Sequence, residues 1–195
     1  MTKLAIMSDL HIDINHFGDF EVKTLLKVLT KNQIDHLHIA GDISNHYFDQ
    51  SLPFLKELSD HLTVTYNLGN HDMLDLDEKL INQLDFKTYS LTDKTTLLAF
   101  HGWYDYSFFP EKTISENKHF KNQFWFDRRL RRGESDPNIT KQIIQKLEDK
   151  LSTLKRDDVI VSMHFWGVPL FILLFKNFRL NTLFLAIIII RFVII

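Results

Sequence analysis

The chain has 195 residues, 23 basic and 25 acidic side chains, a net charge of −2 and no cysteine. This length is sufficient for one domain with a sizeable core. The small net charge gives no global field towards nucleic acid or an anionic membrane, so we expect no specific nucleic-acid binding. The lack of cysteine excludes a disulfide framework and a thiolate metal site. The apolar run before Asp9 is too short for a secretory signal, and we expect a cytoplasmic protein.

Apolar periodicity predicts alternating strands and helices along the first 165 residues. The predicted strands are Lys3–Ser8, His36–Ala40, Leu62–Asn67, Thr95–Phe100 and Val159–Met163. The predicted helices are Glu21–Lys31, Leu52–Leu58, Asp77–Leu84 and a long helix from Asp136, as N-cap before Pro137, to Leu154. This alternation favours stacked α/β layers with mostly parallel strands.

Three short polar segments follow the first three predicted strands. They are Asp9-Leu10-His11, Gly41-Asp42 and Gly69-Asn70-His71-Asp72. Each segment alone is a common turn pattern, but ligands of open α/β sheets bind at the carboxyl ends of strands. Carboxylate oxygen, amide oxygen and imidazole nitrogen together suit divalent cations, so the segments predict a metal site and favour one that holds two metals. Asp9 and His11 are two residues apart, and in a strand they would face one cation together.

These segments, with a lone His164 after the last predicted strand, resemble the calcineurin-like metallophosphoesterases. The family pattern runs D-x-H, G-D, G-N-H-[DE], a lone His and finally G-H-x-H; the last motif has no counterpart here. The resemblance covers about residues 1–165, which we treat as an incomplete domain of this family. It implies an α/β fold of two stacked mixed β-sheets flanked by helices, an αββα sandwich whose C-terminal part is missing. It also implies hydrolysis of a phosphate monoester or diester.

The resemblance implies two divalent cations, and Mn²⁺, Fe and Zn²⁺ all suit the ligands. It assigns one cation to Asp9, His11 and Asp42, and a second to Asp42, Asn70 and His164. Asp42 would bridge the cations and offset their repulsion. His71 would be catalytic, facing the leaving oxygen as proton donor or charge stabiliser. Asp72 would anchor its loop or orient a neighbour.

Two further segments have both a functional and a structural interpretation. The aromatic segment 101–107 could form a lip over the site, with His101 as a substitute ligand, but we favour a loop packed on the core. Lys112–Arg132 mixes basic and aromatic residues, which could bind a phosphorylated or nucleic-acid substrate. We favour an amphipathic helix with buried aromatics. The other histidines are expected to be structural or on the surface: His16, His36, His38, His46, His61 and His119.

Residues 166–195 form an apolar tail without an acidic residue. We favour an out-of-frame or prematurely ended product of a longer gene; membrane contact by the tail and native strands are the alternatives. The apolar stretch Leu180–Ile190 is shorter than the roughly 20 residues that span a bilayer. Without G-H-x-H each metal site lacks a ligand, so the alternative function is a catalytically impaired remnant that the tail could hold at a membrane. The sequence gives no oligomeric state.

Overall fold

The first of two β-sheets contains three parallel strands in the order β1 (Leu4–Met7), β2 (His36–Ala40) and β3 (Thr63–Asn67). This computed structural model describes residues 3–154 and 158–165. Crossovers through α1 (Asp19–Lys31) and α2 (Leu52–Ser59) connect the strands. A π-helical turn over Tyr47–Ser51 leads into α2. All five residues of β2 are buried, as expected for the central strand of a covered parallel sheet.

The second sheet has the order β4 (Lys87–Ser90), β5 (Thr95–Phe100) and β6 (Asp158–Met163). β4 runs antiparallel to β5, and β6 runs parallel to it. Polar contacts join the two sheets, because Ser162 of β6 donates to Asn67 of β3 at 2.8 Å and lies 2.7 Å from a ring nitrogen of His38 of β2. The sheets therefore stack, and the carboxyl ends of β1, β2, β3 and β6 come together.

Three further helices complete the described fold. Asp77 caps the N-terminus of α3 (Glu78–Leu84), and its side chain accepts a hydrogen bond from the backbone N–H of Leu80. α4 (Ile114–Phe124) begins with a capping box between Thr113 and Glu116. A 3-10 turn over Phe126–Arg129 follows α4, and α5 (Asp136–Thr153) leads back to β6. One apolar cluster packs around β5, β6 and α5, and a second packs around β2, α1 and α2.

The predicted fold class is confirmed, with four corrections to its details. The described first sheet is parallel rather than mixed, and the sequence pattern missed β4. Asp136 is the first residue of α5 rather than its N-cap; Ser135 holds that position. The predicted burial of aromatics in the basic segment is wrong for Phe120 and Phe124, which are 42% and 65% exposed. The capping box of α4 fixes its start, but only part of that helix faces the core.

Across the residues that the structure describes, no helix is both long and apolar enough to cross a membrane. The predictions for the apolar tail fall on residues 166–195, which lie outside the described residues.

Candidate metal centre

The predicted site residues lie in loops at the carboxyl ends of β1, β2, β3 and β6. Asp9 and His11 follow β1, Asp42 follows β2, Asn70 and His71 follow β3, and His164 follows β6. Backbone hydrogen bonds tie the first two loops together, since the N–H of Asp9 donates to Gly41 and that of His11 donates to Asp42, both at 3.0 Å. The parallel topology thus brings three segments that are distant in sequence together at one edge of the sheet.

The loop after β1 is not a continuation of the strand. β1 ends at Met7, and both Asp9 (φ 56°) and His11 (φ 41°) have left-handed backbone conformations. Asp42 (φ 57°) shares this uncommon conformation. The strand alternation behind the expectation that Asp9 and His11 face one cation is therefore absent here, and their sharing of a cation stays a prediction.

Two glycines allow the loops after β2 and β3 to touch. A Cβ on Gly41 would lie 2.7 Å from the backbone nitrogen of Gly69 and 2.7 Å from a ring nitrogen of His164. Gly41 also has a φ of 89°, which favours glycine. A Cβ on Gly69 would lie 2.5 Å from the backbone nitrogen of Asp42 and still closer to its carboxylate. Any larger residue at either position would push Asp42 or its partners out of place.

Asp72 fixes these two loops to each other. Its carboxylate accepts backbone N–H bonds from Gly69 at 2.8 Å, Asp42 at 2.7 Å, Ile43 at 2.9 Å and Ser44 at 3.2 Å. The predicted anchoring role of Asp72 therefore extends to the Asp42 loop. Its side chain is fully buried, so these donors replace the water that it loses.

Asp42 belongs to both groups of potential ligands among the described residues. One group is His11, Asp42 and His71, and the other is Asp9, Asp42 and His164; the ligand atoms of each lie within 4.8 Å of one another. The Oδ2 atom of Asp42 is 3.6 Å from Nε2 of His11 and 3.3 Å from Nε2 of His164. The predicted central position of Asp42 agrees with this geometry, whereas Asp9 groups with His164 rather than with His11.

His164 is oriented from behind by the backbone. Its Nδ1–H donates to the carbonyl of Ala40 at 2.9 Å, which turns Nε2 towards Asp42. Such a carbonyl partner is the usual support of a metal-binding histidine. Burial alone would lower the pKa of His164, but the hydrogen bond and negative charge of Asp42 raise it to about 9. Burial would raise the pKa of the Asp42 carboxyl group, but the contact with His164 and the charge and backbone N–H of His71 together lower it.

His71 has an elaborate environment that the sequence did not indicate. Its Nδ1 lies 2.9 Å from Oδ1 of Asn45, whose own amide donates to Asp13 at 2.6 Å. The His71 ring stacks on Phe126 at a centroid distance of 3.7 Å. Burial lowers the pKa of His71 despite the nearby charge of Asp42. With Nδ1 donating to Asn45, Nε2 is unprotonated in the neutral ring and could bind a cation.

The side chains of Asn70 and His101 each contact an acidic residue outside the two ligand groups. Asn70 is buried, and its amide nitrogen donates to Asp127 at 2.7 Å, while the next residue, His71, donates its backbone N–H to Asp42 at 3.0 Å. Nδ1 of His101 lies 2.9 Å from Oδ2 of Asp85. Within residues 3–154 and 158–165, His101 joins neither ligand group, which agrees with the favoured structural interpretation.

The donor set fits divalent cations. Nδ1 of His11 is buried and has no hydrogen-bond partner among the described residues, as expected for a nitrogen available to a ligand. Two carboxylates and three imidazoles converge on a small volume, and such mixed oxygen and nitrogen donors suit Mn²⁺, Fe and Zn²⁺. The local motifs identified these residues, but Asn45, Asp13, Phe126 and Asp127 carry no comparable sequence signal.

Comparisons with known proteins agree with this architecture. The calcineurin-like phosphoesterase family profile matches residues 2–180. A phosphopantetheinyl hydrolase from Mycobacterium tuberculosis has a similar structure, with a TM-score of 0.57, 19% identity, and coverage of 84% of this chain and 68% of that one. A dimetal phosphatase from Danio rerio gives a TM-score of 0.51, 12% identity, and coverage of 84% and 69%. No curated protein sequence matches the chain.

Proposed function

Because this chain belongs to the calcineurin-like phosphoesterase family, whose members are metal-dependent phosphoric ester hydrolases, we propose that it hydrolyses a phosphate monoester or diester at a two-cation site. The proposed ligands are Asp9, His11, Asp42, Asn70 and His164. The observation that carries the proposal is the position of Asp42, which belongs to both ligand groups and lies between His11 and His164. A shared carboxylate is what two adjacent cations need to offset their repulsion.

When bound, divalent cations in such a site polarise a phosphoryl oxygen and lower the pKa of water. The chain itself supplies the geometry. Asp72 and the close approach of Gly41 and Gly69 hold Asp42 in place, and Ala40 fixes the ring of His164. These rigid supports favour a preorganised site, since small displacements of catalytic groups cost large factors in rate.

We propose that His71 faces the leaving oxygen as proton donor or charge stabiliser, acting in the imidazolium form that it reaches by taking up a proton from solvent at Nε2. Asn45 and Phe126 hold its ring, and the Nδ1 contact with Asn45 leaves Nε2 as the nitrogen that exchanges a proton with substrate. The group of His11, Asp42 and His71 makes direct ligation by His71 the competing role. His71→Ala separates the two: as a proton donor, its loss should slow hydrolysis by roughly two to four powers of ten while bound metal is retained. Loss of metal from the purified variant would establish ligation instead.

Metal content tests the proposal directly. The parent chain should bind two equivalents of Mn²⁺ at saturation, and Asp42→Asn should bind at most one, because the bridging charge is gone. Asp93→Asn, which neutralises an exposed carboxylate far from the site in sequence, is the matched control and should behave as the parent. Equal occupancy in Asp42→Asn and Asp93→Asn would contradict the bridging role.

Activity distinguishes the intact enzyme from the impaired remnant. No histidine follows His164 and no acidic residue follows Asp158 in this sequence, so the G-H-x-H ligands have no counterpart. The impaired alternative therefore predicts tight binding of one cation and slow hydrolysis of an aryl phosphate monoester and of the matching diester. Brisk manganese-dependent turnover with two bound cations would rule that alternative out.

A further inference from the structure

The 3-10 turn Phe126–Arg129 contacts the candidate site at two consecutive residues. Phe126 stacks on the His71 ring with an interplanar angle of 14°. The next residue, Asp127, accepts a hydrogen bond from the side-chain nitrogen of Asn70 at 2.7 Å. Asn70 and Asp127 are 57 residues apart in sequence, so this contact depends on the folded chain. The turn therefore supports both residues of the Asn70-His71 pair.

Asp127 is itself held firmly. It is 5% exposed, and its second oxygen accepts the hydroxyl of Tyr104 at 2.8 Å. Tyr104 is buried and stacks on Trp103 at a centroid distance of 4.9 Å. Both carboxylate oxygens thus have fixed donors, and the side chain has little freedom to rotate. A buried carboxylate that cannot rotate determines which end of a neighbouring side chain faces it, because only a hydrogen-bond donor fits there.

The chemistry of the amide gives this contact a direction. A carboxylate only accepts hydrogen bonds, whereas an asparagine side chain has one donating and one accepting end. Asp127 can therefore bind only the nitrogen end of Asn70, and the oxygen end must point elsewhere. A cation needs that oxygen, because an amide nitrogen is not a useful ligand for hard cations.

We propose that Asp127 is a positioning residue, which holds the Asn70 amide so that its oxygen is available to a divalent cation. The inference rests on the proposed function, in which Asn70 is a metal ligand. Partners of this kind behind a ligand typically contribute 10- to 100-fold in metal affinity. Asp127 thereby connects the segment after α4 to the metal chemistry.

A second buried carboxylate provides the structural comparison. Asp136 accepts hydrogen bonds from Trp103, Tyr106 and Lys121, none of which belongs to either ligand group among the described residues. Tyr106→Phe removes a buried tyrosine–aspartate bond at Asp136, just as Tyr104→Phe does at Asp127. The two variants match in chemistry and differ in whether the carboxylate touches the site.

The experiment titrates the full chain with Mn²⁺ and follows free Mn²⁺ by electron paramagnetic resonance. Asp127→Ala should weaken binding of the less tightly held cation by about 10- to 100-fold, because the amide of Asn70 can then rotate. Asp127→Asn should restore binding to within about threefold of the parent, because its amide oxygen still accepts from Asn70. Tyr106→Phe should leave Mn²⁺ affinity unchanged while lowering the thermal midpoint.

The outcomes separate this inference from the proposed function. A parent chain without Mn²⁺ binding would overturn both. Parent-like affinity in folded Asp127→Ala would overturn the positioning role alone, as would equal weakening in Asp127→Ala and Asp127→Asn. If Asp127→Ala does not fold by circular dichroism, Tyr104→Phe takes its place. Weaker Mn²⁺ binding in Tyr104→Phe than in Tyr106→Phe supports the inference, and equal binding overturns it.

Discussion

The loops after β1, β2 and β3 bury carboxylates in a different way from the segment around Asp127 and Asp136. In the loops, Asp42 faces His11 and His164, and backbone N–H groups bind Asp72. Around Asp127 and Asp136, hydroxyl, indole, amide and ammonium side chains donate to the acids, including Lys121 at 2.6 Å from Asp136. The loops set carboxylates against histidines and backbone N–H groups, whereas Asp127 and Asp136 have fixed side-chain donors, of which Lys121 carries the charge.

This difference indicates which region a bound cation would stabilise most. Burial and the neighbouring charge of Asp42 raise the pKa of Asp72 to about 7, although its four N–H donors favour the ionised form. The loops therefore carry negative charge that protein groups balance incompletely, and a divalent cation would balance it. Asp127 and Asp136 already have fixed side-chain donors, although burial raises the pKa of Asp127 as well. Metal should accordingly stabilise the loops and leave the segment around Asp136 unaffected.

Gly69→Ala should give the largest effect, because it changes the crowded loops directly. Its Cβ would lie 2.5 Å from the backbone nitrogen of Asp42, and Asp72 prevents that loop from moving freely. A displacement of Asp42 by about 1 Å should lower kcat/KM by roughly 100-fold, with weaker Mn²⁺ binding. Steady-state hydrolysis of an aryl phosphate ester and a Mn²⁺ titration measure both effects.

Gly133→Ala is the control for Gly69→Ala. An added Cβ at Gly133 meets no atom within 4 Å, so both kcat/KM and Mn²⁺ affinity should match the parent. Similar losses in both variants would show that the chain responds to any glycine substitution. The loss in Gly69→Ala could then not be assigned to crowding between the loops.

The two regions also differ in how far sequence predicts them. The loops were predictable because Gly41, Asp42 and Asn70 follow apolar strands at short spacing, and parallel strands bring their ends together. The left-handed conformations of Asp9 and His11 were not, since the strand pattern gives no signal for where pairing ends. Asp127 was missed because its partner Asn70 is 57 residues away. Local helix rules likewise made Asp136 an N-cap, although its carboxylate binds distant side chains.

The interface between the sheets should make its own contribution to the pH dependence of stability. His38 is fully buried between Thr65, Asn67 and Ser162, and burial lowers its pKa to about 4. The unfolded chain therefore takes up the proton first, near pH 6.5. The His38 contribution is complete above that pH and falls by roughly 3 kcal/mol as the pH drops to 4.

Urea unfolding of the parent and of His38→Gln between pH 7 and pH 4 in EDTA gives the His38 contribution as the difference between the two slopes, without a contribution from metal. His38→Gln should lose this acid-induced destabilisation, and His119→Gln, which changes an exposed histidine, should retain it. Burial also lowers the pKa of the neighbouring His36, which adds a slope of the same sign, whereas the raised pKa of Asp72 adds one of the opposite sign, and both remain in His38→Gln. An unchanged slope in His38→Gln would assign the acid sensitivity to other groups.

Arg132→Lys should give the smallest effect and should affect stability alone. The guanidinium of Arg132 binds both oxygens of Glu78 at 2.9 and 3.1 Å and lies 4.8 Å from the Trp103 ring centroid. A lysine ammonium cannot form this planar two-point contact, so unfolding should become easier by about 1 kcal/mol. Arg131→Lys, at an exposed neighbour, should change little. Because Arg132 lies near Asp127 and Asp136 in the chain and not in the loops after β1, β2 and β3, Mn²⁺ affinity should stay at the parent value in both variants. A weakened affinity in Arg132→Lys would mean that strain in this segment reaches the metal loops, and the two regions would then have to be treated as one.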